Sequence, residues 1–247
     1  MTRIDQALVE RGLCESREKA KRAIMAGQVR VNGQVAHKPS ETIAPTALLE
    51  LTAGEKFVSR GGLKLEHALE QFRLDVRGLR TLDLGASTGG FTDCLLQRGA
   101  AQVYAVDVGQ GQLAWKLRRD PRVVVMERTN ARELTPASFP SPFNPLDLAV
   151  CDCSFISLRK ILPAAVALLA ASAKIVALVK PQFEAGKAEA DKGAGVIRDP
   201  AIHQRVLREL EAFANGQPGL RWRAAIESPL LGPAGNKEFL ALIEKTG

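Results

Sequence analysis

The sequence predicts an α/β protein: a seven-stranded, mostly parallel, doubly wound sheet with an antiparallel last hairpin, preceded by a small α+β module. Three observations predict it. From residue 79 onward, short apolar runs alternate with helical stretches, which calls for a parallel sheet with helices on both faces. The last two runs are separated only by residues 227–237, too few for a helical crossover, so that pair should be antiparallel. Residues 1–52 follow a pattern of their own, with 53–63 as a connector and 64–247 as the larger domain. A chain of 247 residues, 46% of them hydrophobic, has room for two unequal cores. No apolar run approaches the roughly 18 residues of a membrane helix. The net charge of +7 favours an anionic partner, either nucleic acid or a membrane surface.

In the first module Ile4, Ala7 and Leu8 recur at helical spacing up to Gly12, and a second helix starts from Ser16 as N-cap and stops at Gly27. The run Val29-Arg30-Val31-Asn32-Gly33-Gln34-Val35 alternates about an Asn-Gly pair, which signals a hairpin. Up to residue 40, eight Lys and Arg face four Asp and Glu, a net +4. The second helix concentrates this charge: Arg17 and Lys21 lie one turn apart, as do Lys19 and Arg22, while Ala20, Ala23 and Ile24 turn inward. A lone basic helix face reads as a solvated surface. The order helix, basic helix, Gly, Val-x-Val-Asn-Gly hairpin, however, resembles the S-four-type RNA-binding domain, named for a small-subunit ribosomal protein. The resemblance implies that Arg17, Lys19, Lys21, Arg22 and Arg30 grip folded RNA, mostly through phosphate contacts that carry affinity and little sequence information.

Past the connector, which contains Gly54, Gly61 and Gly62, a helix is expected from near Lys64. Strands are expected at 79–84, 102–106, 123–126, 146–151, 175–179, 221–226 and 239–243, with helices such as 91–98 and 201–214 between them. Asp199-Pro200 is a clean start for the latter helix. Residues 182–198, with Gly186, Gly193 and Gly195 and no strong periodicity, read either as a flexible flap or as a disordered segment without function. This arrangement is that of a class I methyltransferase rather than of a nicotinamide dehydrogenase.

The segment Thr81-Leu82-Asp83-Leu84-Gly85-Ala86-Ser87-Thr88-Gly89-Gly90-Phe91 reads as strand, glycine-rich turn and helix start. Such a turn lets backbone approach a nucleotide-like ligand at the carboxyl end of the strand. The spacing Gly-x-x-x-Gly-Gly is not the dinucleotide fingerprint and suits S-adenosylmethionine better, because no pyrophosphate needs cradling. Asp83 can answer the ammonium of that cofactor or order nearby water. Gly85, Ser87, Gly89, Gly90 and Phe91 form the rest of the turn. Asp107 stands 22 residues after Gly85, near the spacing of about 20 for a carboxylate that binds ribose hydroxyls. Asn130 reads equally as an adenine contact or as a polar loop residue.

Lys180 and Asp152 end neighbouring apolar strands at the same sheet edge, Lys64 precedes the sheet, and Glu238 opens the last strand. Each alone reads as a surface charge or a sheet-end ion pair. Together with Arg60-Gly61-Gly62-Leu63-Lys64, Asp83-x-Gly85, Cys151-Asp152-Cys153-Ser154-Phe155 and Val179-Lys180-Pro181-Gln182-Phe183-Glu184, the set resembles the TlyA family. That family joins an S-four-type domain to a domain similar to the FtsJ ribosomal RNA 2′-O-methyltransferases, and its members are often labelled haemolysins. The resemblance implies a Lys-Asp-Lys-Glu tetrad at Lys64, Asp152, Lys180 and Glu238, with cytidine ribose in ribosomal RNA or ribosomal subunits as target. A ribose hydroxyl needs a base as the methyl arrives. Lys180 is the expected base, Lys64 a substrate-orienting cation, and the acids orienting groups.

The string after the fourth strand is Asp-Cys-Ser-Phe rather than the Asn/Asp-Pro-Pro-aromatic of base-amino methyltransferases, which favours ribose. Cys151 and Cys153, read as pointing to opposite faces, and His37, His67 and His203, which lack ligand spacing near them, predict no metal site. The residues from Met1 to Asp5 include no apolar signal region, and four cysteines make no disulfide framework, so a cytoplasmic protein is expected. Two rival readings are a non-catalytic ribosome-assembly factor and a membrane-acting haemolysin.

Overall fold

The computed structural model describes residues 1–52 and 55–246; Gly54 of the expected connector lies outside the described residues. Contacts separate two compact units, Met1–Lys56 and Phe57–Gly247.

In the first unit β1 (Thr2–Arg3) leads into α1 (Ile4–Glu10), followed by α2 (Arg17–Met25). Ser16 caps α2, its hydroxyl accepting the Lys19 N–H at 3.3 Å. β2 (Val29–Val31) and β3 (Gln34–Val35) form the expected hairpin, with Asn32 and Gly33 both at positive φ as its tight turn requires. β4 (Thr42–Ile43) pairs with β1, and β5 (Leu49–Leu51) with the free side of β2. The sequence reading missed β1, β4 and β5, because two or three residues cannot display an alternation. Ile4, Leu8, Ala20, Ile24 and Val29 are buried in one core, so the apolar stripes of both helices close on the small sheet.

The second unit begins inside the expected connector, since Phe57 is already buried, and α3 (Gly61–Gln71) starts ahead of Lys64. There follow β6 (Arg80–Leu84), α4 (Gly90–Gln97), β7 (Gln102–Val106), α5 (Trp115–Arg118), β8 (Val123–Met126), β9 (Leu146–Cys151), α6 (Leu162–Ala167) and β10 (Leu169–Val179). The chain ends with α7 (Pro181–Glu184), α8 (Lys187–Lys192), α9 (Pro200–Gly216), β11 (Leu220–Glu227) and β12 (Phe239–Lys245). The sheet order is β11-β12-β10-β9-β6-β7-β8, and β12 runs antiparallel to both neighbours while β10, β9, β6, β7 and β8 are parallel. This is the seven-stranded architecture that the sequence predicts.

Both faces of the sheet are covered. In β10, Ile175, Ala177 and Val179 join one core cluster and Val176 and Leu178 the other, which explains an unbroken apolar run instead of an alternating one. β10 also starts earlier than expected, with a register irregularity between Leu169 and Lys174. The Ala-Ala-Ser-Ala segment there has little strand propensity, and pairing with β9 overrides it. The chain leaves β6 toward β7 on one side and returns to β9 on the other, so a crevice opens at their carboxyl ends.

Residues 182–198 differ from the expectation of an unstructured flap. They contain most of α7 and all of α8, and Ile197 is buried. Asn236 Oδ1 accepts the Ile197 N–H and its Nδ2 donates to Gly195 O, each at 2.9 Å, while His203 Nε2 donates to Ile197 O at 2.9 Å. These long-range partners, 39 and 41 residues away for Asn236, leave no periodic mark in the sequence. Asp199 caps α9 as predicted, accepting the Ala201 N–H at 2.8 Å.

Candidate active site

The turn between β6 and α4 lies at the crevice. A Cβ on Gly85 would meet the Asp152 backbone at 3.0 Å, so glycine there lets the ends of β6 and β9 close together. Gly89 adopts φ +96°, and a Cβ on it would overlap Leu113 and, in α5, Leu117, so packing on this side requires glycine. Two adjoining cavities share Gly85, Ser87, Asp152 and Ser154.

The first, of about 280 Å³, brings together Lys64 from α3, Asp152 after β9, Lys180 after β10 and Glu238 before β12, together with Gly90 and Phe91. Lys64 Nζ lies 2.5 Å from Glu238 Oε2, and both side chains are buried. Lys180 Nζ lies 2.7 Å from Asp152 Oδ1, an ion pair without hydrogen-bond alignment, and donates to Ser154 Oγ at 2.7 Å. Two ammonium–carboxylate pairs therefore line one cavity, and Arg60 on the same lining adds a further cation.

The second cavity, of about 350 Å³, is lined by Asp107, Asn130 and the apolar side chains of Val108, Phe155 and Ile156, among others. Asp107 Oδ2 accepts the Ser87 N–H at 2.8 Å and Oδ1 the Gly109 N–H at 2.7 Å, which fixes the carboxylate and leaves lone pairs for further donors. Asn130 caps residues 131–133 with its Oδ1 and donates to Glu133 Oε1 at 2.8 Å, so it combines the structural and the cavity-lining reading.

Asp83 lines neither cavity. It is fully buried; Oδ2 accepts from Thr92 Oγ1 at 2.6 Å and Oδ1 has no hydrogen-bond partner among the described residues. Burial pushes its carboxyl up to about 7, against the Thr92 hydrogen bond. Cys151 and Cys153 do not point apart: residues two apart at a strand end share a side, and Cys153 packs against the core cluster that contains Cys151. The neighbouring Cys151, then burial, pushes the Cys153 thiol far up.

In the first unit Arg17, Lys19, Arg22 and Arg30 are exposed and Lys21 is half-buried. Several are already engaged. Arg17 pairs with buried Asp5 at 3.1 Å, Lys19 with Glu15, Lys21 with Glu18 at 3.4 Å, and Arg30 donates to Gly33 O at 2.8 Å. Arg22 has no ion pair among the described residues. Sequence reasoning left Ser154, Phe155 and Arg60 without roles. Ser154 and Arg60 lie within strings already singled out, but nothing in spacing shows that Ser154 holds the Lys180 amine.

The sequence pattern of the FtsJ-like methyltransferase family matches residues 57–245, and that of the S4 domain residues 2–48. Over 241 residues the chain is 51% identical to a Mycobacterium tuberculosis protein named 16S/23S rRNA (cytidine-2′-O)-methyltransferase TlyA, covering 96% of this chain and 87% of that protein. The chain belongs to the TlyA family. It is also 41% identical to Hemolysin A of Brachyspira hyodysenteriae, with 97% of this chain and 98% of that protein covered. A solved structure of a Streptococcus thermophilus protein named as a hemolysin superposes with a TM-score of 0.75 at 48% identity, covering 99% of this chain and 88% of that one. The family thus carries both kinds of name. Among the described residues, no helix is long and apolar enough to cross a membrane.

Proposed function

We propose that this chain transfers a methyl group from S-adenosylmethionine to the 2′-hydroxyl of a cytidine in ribosomal RNA, acting in the cytoplasm on ribosomal RNA or ribosomal subunits. The observation that carries this reading is the meeting of Lys64, Asp152, Lys180 and Glu238 around one cavity beside the glycine turn. The TlyA relative of Mycobacterium tuberculosis is named for that reaction.

The residues fit the cofactor. Asp107, pinned through backbone N–H groups, retains acceptor capacity for a ribose diol, and the apolar walls at Val108 and Ile156 suit a flat base. The adjoining cavity, about 280 Å³ beside the glycine turn, offers space for the amino-acid remainder. When bound, the cofactor supplies an electrophilic methyl group on a sulfonium.

The protein's own task is to hold the hydroxyl in line and accept its proton. Lys180 Nζ, entering the step as the neutral amine, takes the 2′-hydroxyl proton, while Asp152 and Ser154 fix its direction. Lys64, held by Glu238, faces the negative charge that builds on the ribose oxygen. Phe155, 90% exposed at the rim and backed by Phe183 with ring centroids 5.1 Å apart, offers a face on which an unstacked base can lie. In the first unit Arg17, Lys19, Lys21, Arg22 and Arg30 supply phosphate contacts.

Incubating the protein with labelled S-adenosylmethionine and each purified ribosomal subunit tests the reading: label should enter RNA of at least one subunit. Cofactor binding without incorporation into either would favour an assembly factor, and release of dye from vesicles would favour the membrane-acting rival.

A further inference from the structure

We propose that Glu184 is a positioning residue for this reaction: its carboxylate locks the loop after β9, and through that loop it fixes the groups that hold the Lys180 amine. The proposal rests on the function inferred above.

Two segments are laced together at the crevice. At one end Lys180 meets Asp152 and Ser154, in the middle the Phe183 ring packs on Phe155, and at the far end Glu184 grips Ser157 and Leu158. Both carboxylate oxygens are used: Oε2 accepts from Ser157 Oγ at 2.6 Å and Oε1 accepts the Leu158 N–H at 2.7 Å. Ser157 Oγ in turn accepts the Arg159 N–H at 3.2 Å. Burial raises the Glu184 carboxyl above the ordinary range despite these bonds, so its ionised form depends on them.

The loop between the two grips needs holding. Phe155 sits at φ +63°, a conformation that a bulky L-residue keeps only where its surroundings impose it. Ser154, beside it, bonds the lysine. With Glu184 released, the residues from Ser154 to Ser157 lose their far anchor and the amine loses a fixed direction. A simple helix cap for residues 158–160 would stabilise the fold and leave turnover untouched, which separates the two roles.

The full-length chain carrying Glu184→Ala, Glu184→Gln, Ser157→Ala or Ser154→Ala tests this, read by amide hydrogen exchange and by methylation kinetics on the subunit the wild type modifies. In Glu184→Ala, amides of residues 153–158 should exchange faster while those of β6 and β9 hold. Its kcat should fall about 10–100-fold with KM for RNA and cofactor affinity within about threefold. Glu184→Gln, which still accepts from Leu158, should recover most of the rate, and Ser157→Ala should lose less than Glu184→Ala. Combined with Ser154→Ala, the Ala variant should lose less than the product of the single effects. Unchanged loop exchange, or faster exchange with kcat intact, overturns the proposal. If Glu184→Ala does not fold, Ser157→Ala carries the decision: faster exchange at residues 153–158 with a lowered kcat supports the proposal, and unchanged exchange or an intact kcat overturns it. Wild type without methyl transfer overturns the underlying function as well, whereas equal transfer by wild type and Glu184→Ala overturns this proposal alone.

Discussion

Lys64 and Lys180 differ in what holds them. The partner of Lys64, Glu238, is 1% exposed, whereas Asp152 beside Lys180 is 25% exposed and shares the amine with a hydroxyl. Glu238→Gln therefore leaves a buried ammonium without counter-charge and should cost about 3 kcal/mol of stability in urea denaturation. Asp152→Asn should cost distinctly less; equal losses would contradict this division. Asp83 makes a pH-dependent prediction. Its carboxyl titrates near its ordinary value when unfolded but at about 7 when folded, so between these values only the folded state holds the proton. Stability from this group is lost as pH rises through that window, and the cost is complete above about 7. Asp83→Asn removes the titration. Its melting temperature should gain on the wild type between about pH 5 and about pH 8, and an offset independent of pH would refute the assignment.

The turn from β6 into α4 shows how far local sequence reaches. Gly89 combines a left-handed backbone with α5 side chains where a Cβ would stand, so Gly89→Ala should lose about 2 kcal/mol in thermal unfolding. A loss below about 0.5 kcal/mol would show that α5 yields freely. Long apolar runs, the Asn32-Gly33 hairpin and the caps at Ser16 and Asp199 were legible because each rests on neighbouring residues. The two-residue strands, the early start of β10 and the tied-down segment around Ile197 were not, because each depends on partners far along the chain. The site divides in the same way. Lys64, Asp152 and Lys180 stand in recognisable strings and Glu238 opens the last strand, and their meeting follows once the strand order is known. Ser154 on the lysine and the inward Asp83 are products of tertiary packing, whereas the shared side of Cys151 and Cys153 follows from the two-residue period of a strand, which the reading of opposite faces misapplied.

At the scale of the whole molecule, a net charge of +7 and two separately cored units suit a protein that grips an anionic substrate with one unit and modifies it with the other. On the basic helix Arg17, Lys19 and Lys21 pair with acids, and Arg22 has no ion pair among the described residues. Arg22→Ala should weaken RNA binding alike across sequences and lower the salt slope by about 1; an unchanged slope would remove Arg22 from the interface. The most direct test compares wild type with Lys180→Arg, which keeps the charge and loses the capacity to accept a proton. Both receive labelled S-adenosylmethionine and the subunit that the wild type modifies, and the label is mapped by resistance to alkaline cleavage. The wild type should leave a resistant step at a cytidine, and the variant should transfer about 10²–10⁴-fold more slowly while binding the cofactor normally. Transfer by Lys180→Arg at the parental rate, or label on a base instead of a ribose, would contradict the proposed chemistry.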